Sequence, residues 1–353
     1  MCHRLFSRLN SLKGLSGNRK IESGGTTTKH RPELRRCFFV IQTNKKRKVL
    51  LLENINPAAK LILEKTGFEI KAINNSLTTA ELLKKIANVE ILGIRSKTRI
   101  DKQLIKKAKQ LKVLGVYCVG TDQIDIKACE AKQIKVINDP FSNTRSVAEL
   151  VVGAMIVLLR KLTEKNNLLH EGYWQKLTDG CELRGKTLGI IGYGRIGTQL
   201  SVLAENLGMR VIFYDKEEKL AYGRAERCQN LETLLPQADV ISVHVDGSPE
   251  NKQLIGKREF LLMKTKAILI NTSRGFVVDI KALADCLIQG RIAGAAIDVF
   301  PDEPKNNQDI FICPLQKLTN VLLTPHVGGN TIEAQEKIAQ RVTNKIIEYL
   351  CKQ

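Results

Sequence analysis

The chain predicts an α/β fold of doubly wound parallel sheets with helices on both faces. Three observations carry this. From Lys48 onward, short apolar runs alternate with stretches of helical spacing, the pattern of strands joined by crossover helices. The stretch Gly192-Tyr193-Gly194-Arg195-Ile196-Gly197 lies between an apolar run and an amphipathic one, where a phosphate-binding turn belongs. The length of 353 residues suits about two domains, each able to bury a core.

The first segment does not fit that pattern. Residues 1–48 hold 13 Lys or Arg against Glu22 and Glu33, a net +11 of the chain's +20. Residues 1–47 read as a disordered basic extension. The alternative is a mitochondrial-type presequence, because Arg4, Arg8, Lys13, Arg19 and Lys20 alternate with Leu5, Phe6, Leu9, Leu12 and Leu15. With the extension, the expected location is cytoplasmic; with a presequence, it is mitochondrial.

Val49–Leu52 is an apolar run suited to a buried parallel strand. Residues 57–65 follow as a helix that begins with Pro57 and stops at Gly67. Residues 89–94 and 112–117 are further strands, and 100–111 between them is helical with a lysine-rich solvated face. Ser142 to Arg145 is a polar entry to a helix over 147–162. That helix is apolar on most faces and is expected at a domain or subunit junction. The strand 186–191, the glycine turn, a helix to Leu207 and the strand 211–214 come next. Strands over 239–243, 267–270, 294–297 and 321–323 complete the pattern.

Composition narrows the function. A positive field could draw nucleic acid, but no recognition motif is present and aromatic residues make up only 5%. No nucleic-acid partner is expected. The nine cysteines include no C-x-x-C pair and match no zinc or disulfide spacing, so no metal is expected and the thiols read as reduced. The longest apolar run, Leu150–Leu159, is too short to span a bilayer and ends in Arg160-Lys161, so no membrane partner is expected.

The glycine turn points to NAD. Gly192 permits the tight turn, Gly194 a close backbone approach to a pyrophosphate, and Gly197 close helix–strand packing. Arg195 and Ile196 open the helix whose free N–H groups face the phosphates. Asp215 ends the next strand, 18 residues after Gly197. A carboxylate there binds ribose hydroxyls and repels a 2′-phosphate, which favours NAD over NADP. Lys216, beside it, could soften that choice.

Three chemistry-bearing residues follow three successive strands: Arg274 in Asn271-Thr272-Ser273-Arg274, Glu303 after Asp298, and His326 after Thr324-Pro325. Ligands of open parallel sheets bind at the C-terminal ends of strands. An arginine clamps a carboxylate, a histidine takes a proton near neutral pH, and a glutamate beside it favours its charged form. Taken singly, His326 reads equally as a core histidine and Arg274 as a structural ion-pair partner. Together with a nicotinamide they are equipment for hydride transfer.

These stretches, with Gly120-Thr121, Pro140 to Glu149 and Leu322 to His326, resemble the D-2-hydroxyacid dehydrogenase family over about 48–350. The resemblance implies two Rossmann-like domains, the NAD-binding one (143–328) inserted into a substrate domain made of 48–142 and a C-terminal helix within 329–353. It implies that Arg274, Glu303 and His326 are catalytic and that Thr272 and Asp298 belong to the cofactor site. It also implies that Arg95, Ser96, Lys97, Val119, Gly120, Asn143 and Lys176 belong to the substrate site, with Trp174 and Lys176 on an arm near a subunit interface.

The expected reaction is NAD-dependent oxidation of a phosphorylated hydroxy acid, 3-phospho-D-glycerate, on the way to serine, by a homodimer or homotetramer. The alternatives are oxidation of another 2-hydroxy acid, glycerate or 2-hydroxyglutarate, and an NAD-sensing corepressor-like binding protein. Two residues depart from the family pattern. Lys97 stands where arginine is usual, and Asp246 where proline is usual. Only 27 residues follow His326, so a regulatory domain and feedback by serine are not expected.

Overall fold

Runs of β-branched and aliphatic residues, apolar on both sides, form the central strands, because a parallel sheet covered by helices buries both faces. The computed structural model describes residues 47–176, 179–304 and 308–352. The expectations for the basic N-terminal segment therefore lie outside the described residues, apart from Arg47.

The first sheet comprises β1 (Lys48–Leu51), β2 (Glu69–Ala72), β3 (Ile91–Ile94), β4 (Val113–Val116) and β5 (Lys135–Asn138), in the order β2-β1-β3-β4-β5. The second comprises β6 (Thr187–Ile191), β7 (Arg210–Tyr214), β8 (Glu226–Arg227), β9 (Val240–Val243), β10 (Ile268–Asn271), β11 (Gly294–Ile297) and β12 (Val321–Leu323). Its order is β12-β11-β10-β9-β6-β7-β8. The strand pairs of both sheets are parallel. The order reverses between β1 and β3 in one sheet and between β6 and β9 in the other. Such switch points open a crevice at the carboxyl ends of the strands.

Alternation along each strand divides the cores. Leu50, Leu92 and Leu114 pack on one face of the first sheet. Val49, Leu51, Ile91 and Val113 pack on the other. The long helix Ile332–Cys351, capped by the Thr331 side chain at Ala334 N–H, returns to that second face. There Ile338, Val342 and Ile346 join the cluster, and Tyr117 and Thr343 share a buried hydroxyl hydrogen bond of 3.0 Å. The second sheet is sandwiched in the same way between two further clusters.

The structure corrects the sequence reading at several elements. Strands β2, β5 and β8 were not expected. Each lies at a sheet edge and carries exposed residues, so none presents a continuous apolar run. The helix expected over 147–162 runs Thr144–Leu159 and buries one face, from Val147 to Leu159, in the second core. Lys161 then takes a left-handed conformation (φ 52°) and a separate helix, Leu162–His170, begins. The helix expected over 100–111 is confined to Lys102–Lys107, begun by the Asp101 side chain accepting from Leu104 N–H.

Candidate active site

The glycine turn follows β6 and meets the loop after β9. A Cβ on Gly192, which has φ +92°, would lie 2.7 Å from the His244 carbonyl carbon and oxygen, and one on Gly197 would lie 2.4 Å from Gly192 O. Neither position admits a side chain without backbone movement. A Cβ on Gly194 would meet nothing within 4 Å, so the backbone there faces open space. The helix Arg195–Asn206 starts at Gly194 with no side-chain cap, which leaves its first N–H groups for an anion. The Arg195 guanidinium lies 4.2 Å from the centre of the Phe141 ring. Ile196 is half-buried behind the turn.

Asp215 follows β7 and is tied to the turn: Tyr193 N–H donates to its Oδ2 at 2.7 Å, and Glu217 N–H to its Oδ1 at 2.9 Å. The neighbouring Lys216 donates to Glu250 at 2.6 Å, which draws its charge away from Asp215. Asp246 is built into its own turn, accepting from Ser248 N–H at 3.1 Å and Asn251 Nδ2 at 2.8 Å. The open glycine backbone, the uncapped helix and the acid at the strand end together fit a dinucleotide.

The three acid, base and cation residues converge at the carboxyl ends of β10, β11 and β12. His326 Nδ1 lies 2.9 Å from Glu303 Oε2, which leaves Nε2 for a ligand. That hydrogen bond raises the His326 pKa above its ordinary value, against the opposing effect of burial. Burial acts to raise the pKa of Glu303, but the hydrogen bond to and charge of His326 outweigh it, and the carboxyl stays below its usual range. His326 itself has φ +54°, a left-handed conformation that few residues other than glycine adopt, histidine more readily than most. Its N–H donates to Asp298 O at 2.8 Å.

Asp298 is buried beneath this loop. It accepts from Thr324 Oγ1 at 2.6 Å, Val327 N–H at 2.9 Å and Gly328 N–H at 2.9 Å. These use three of a carboxylate's four or so lone-pair directions. Asp298 therefore fixes the turn that carries His326 and keeps about one lone-pair direction for a ligand.

Arg274 is aimed by the residues before it. The Asn271 side chain accepts from Ser273 N–H and donates to Arg274 O. The guanidinium donates through Nη1 to Ser273 O at 2.9 Å and through Nε to Asp122 Oδ2 at 2.8 Å. A Cβ on Gly120 would come within 2.6 Å of Arg274 Nη2, so the Val119-Gly120 turn lies directly against the guanidinium. Among the described residues, no protein acceptor takes the N–H of Val119 or of Gly120. Thr272 Oγ1 lies 3.4 Å from His244 Nδ1. Burial holds the pKa of His244 down at about 3, so this imidazole is neutral.

The other expected residues reach the cleft unequally. Arg95 Nη2 donates to Asn330 Oδ1 at 3.2 Å, four residues past His326. Ser96 and Lys97 are exposed beside it. Asn143 stands against the Gly329 backbone. Lys176 is exposed on the segment after Gly172 and, among the described residues, is not brought to the trio. Asp122 was missed by the sequence reading, although it follows β4 at the same end of the sheet where the other functional residues follow theirs.

Residues 152–328 match the family model "D-isomer specific 2-hydroxyacid dehydrogenase, NAD binding domain". The chain is 49% identical over 304 residues to D-3-phosphoglycerate dehydrogenase of Escherichia coli (strain K12), covering 86% of this chain and 74% of that protein. This chain belongs to the D-isomer specific 2-hydroxyacid dehydrogenases. Another member of the family, D-3-phosphoglycerate dehydrogenase of Dictyostelium discoideum, is 45% identical over 86% of this chain and 75% of its own length. Among solved structures, D-lactate dehydrogenase from Aquifex aeolicus, complexed with NAD and lactic acid, superposes with a TM-score of 0.76 at 26% identity. That match covers 86% of this chain and 95% of that one. The cofactor is NAD. Among the described residues no cluster could hold a metal ion, and no helix is long and apolar enough to cross a membrane.

Proposed function

We propose that this dehydrogenase oxidises 3-phospho-D-glycerate to 3-phosphohydroxypyruvate with NAD, the first step toward serine. The observation that carries the chemistry is the His326–Glu303 pair at 2.9 Å, on the same rim as Arg274 and the Gly120 turn. The relatives named D-3-phosphoglycerate dehydrogenase and the Arg95-Ser96-Lys97 loop carry the choice of substrate.

In this mechanism Arg274 and the Val119 and Gly120 N–H groups hold the substrate carboxylate and C2 oxygen. The substrate carboxylate displaces Asp122 from the guanidinium or shares it. His326 Nε2 takes the hydroxyl proton, and Glu303 stabilises the imidazolium that forms. NAD, when bound, would supply the hydride acceptor for C2. Gly192, Gly194, Arg195, Ile196 and Gly197 would hold its pyrophosphate and Asp215 its ribose, and Thr272 and Asp298 would serve its nicotinamide end. Arg95, Ser96 and Lys97 hold the distal phosphate, helped by Asn143 and by Lys176 from a second subunit. Positioned acid–base catalysis contributes about 10²–10⁴-fold, and orientation and charge complementarity the rest.

On this reading residues 48–142 and the C-terminal helix form the substrate domain, residues 143–328 form the nucleotide domain, and the enzyme works in the cytoplasm. The test is steady-state NADH formation against 3-phospho-D-glycerate, D-glycerate, D-2-hydroxyglutarate and D-lactate. A kcat/KM highest for the phosphorylated acid is expected. Equal or better turnover of an unphosphorylated acid overturns the choice of substrate.

A further inference from the structure

Glu53 sits directly after β1 with a carboxylate almost removed from solvent, at 7% exposure. A buried carboxylate is costly unless its oxygens are satisfied. Here Oε2 accepts from Lys97 N–H at 2.9 Å and Oε1 from Thr98 N–H at 2.8 Å. One side chain thus captures two successive amides of the loop after β3. Strands β1 and β3 are neighbours, so the two loops leave the sheet side by side. The backbone is committed to this contact. Glu53 and Asn54 have φ of 62° and 49°, two consecutive side-chain-bearing residues in the left-handed region that L-residues avoid.

The same loop is held at two further points. Gln123 Nε2 donates to Arg95 O at 2.7 Å, and the Arg95 guanidinium donates to Asn330 Oδ1 at 3.2 Å. The Glu53 bonds have a chemical consequence. Two N–H groups that could otherwise have formed an anion nest are consumed, so an anion reaching this loop meets the Arg95, Ser96 and Lys97 side chains instead. The Arg95 guanidinium offers a planar fork of donors that matches a phosphate, and the Lys97 ammonium a point charge.

We propose that Glu53 is a positioning residue: by holding the Lys97 and Thr98 amides it sets the Arg95–Lys97 loop and so fixes the preference for a phosphorylated substrate. This rests on the function proposed above.

The test is Glu53→Gln. The amide has one acceptor oxygen, so one of the two N–H groups faces an NH₂ donor. Losing a charge-assisted bond of this kind corresponds to about a tenfold or greater effect. The KM for 3-phospho-D-glycerate is expected to rise about tenfold, while kcat and the KM for NAD stay within about twofold. The kcat/KM for D-glycerate also stays within about twofold, because no distal phosphate meets the loop. Glu53→Asp keeps two acceptor oxygens on a shorter arm and should restore part of the lost affinity. If circular dichroism shows the Gln variant unfolded, the Asp variant carries the same comparison.

A selective rise for the phosphorylated acid supports the proposal. An equal rise for both acids, or none for either, overturns it. Wild-type enzyme that prefers D-glycerate overturns the functional reading and this one together. A wild-type preference for the phosphorylated acid that is undiminished in Glu53→Gln overturns this one alone.

Discussion

At the scale of single residues, the chemistry turns on which protonation state His326 holds. Its hydrogen bond to Glu303 raises its pKa above the ordinary value of 6.5. In the proposed mechanism oxidation needs the neutral imidazole as base, so kcat/KM should rise with pH through a limb above that value. Glu303→Gln removes the charge that sustains the shift, while burial, which lowers the pKa, remains. The limb should therefore move to lower pH and the rate should fall. A pH–rate profile unchanged by the substitution would remove Glu303 from the mechanism. Asp215 makes a second residue-scale claim. Its carboxylate lies beside the glycine turn, and the Lys216 charge is drawn to Glu250. Asp215→Ala should lower the kcat/KM preference for NAD over NADP by about tenfold or more, since repulsion of the 2′-phosphate is lost. The same ratio in variant and wild type would count against that role. Not every residue was legible in this way. Arg274, Glu303 and His326 follow apolar strands that the sequence shows plainly, so their placement could be read. Asp122, on a loop 152 residues from Arg274, has a partner that only the fold supplies.

At the scale of elements, burial decided what the sequence revealed. Strands β1, β3, β4, β6, β9, β10 and β11 lie inside their sheets and read as continuous apolar runs, because helices cover both faces. Strands β2, β5 and β8 are edges with solvated residues such as Glu69, Lys135 and Glu226, which charge keeps from pairing further. Their sequences alone do not separate them from loops. The C-terminal helix is the element that ties the end of the chain to the first sheet. Tyr117→Phe removes the hydroxyl bonded to Thr343 at 3.0 Å in a buried setting and leaves the threonine oxygen without that partner. A loss of about 1 kcal/mol is expected, read as a lower urea midpoint with unchanged slope. An unaltered midpoint would mean the helix docks by its apolar face alone.

At the scale of the whole molecule, the two sheets place their carboxyl ends toward one cleft. The Arg274–Asp122 pair at 2.8 Å and the Arg95–Asn330 bond at 3.2 Å connect loops of the first sheet to loops of the second. The surface also points beyond one chain. Leu162, Leu169, Tyr173 and Trp174 are exposed, Trp174 at 83%, on one continuous segment. That segment is expected to be covered in a homodimer or homotetramer. Sedimentation velocity should give a species of at least twice 39.5 kDa, and a monomer at working concentration would contradict this. In the proposed mechanism the His326 base, held by Glu303 beside Arg274, serves the oxidation of a 2-hydroxy acid with NAD. Steady-state NADH formation from 3-phospho-D-glycerate by wild type and by His326→Asn tests it most directly. Turnover by the wild type is expected, with a kcat about 10²–10⁴-fold lower in the variant and the KM for NAD unchanged. No turnover by the wild type, or equal rates in the two, would contradict it.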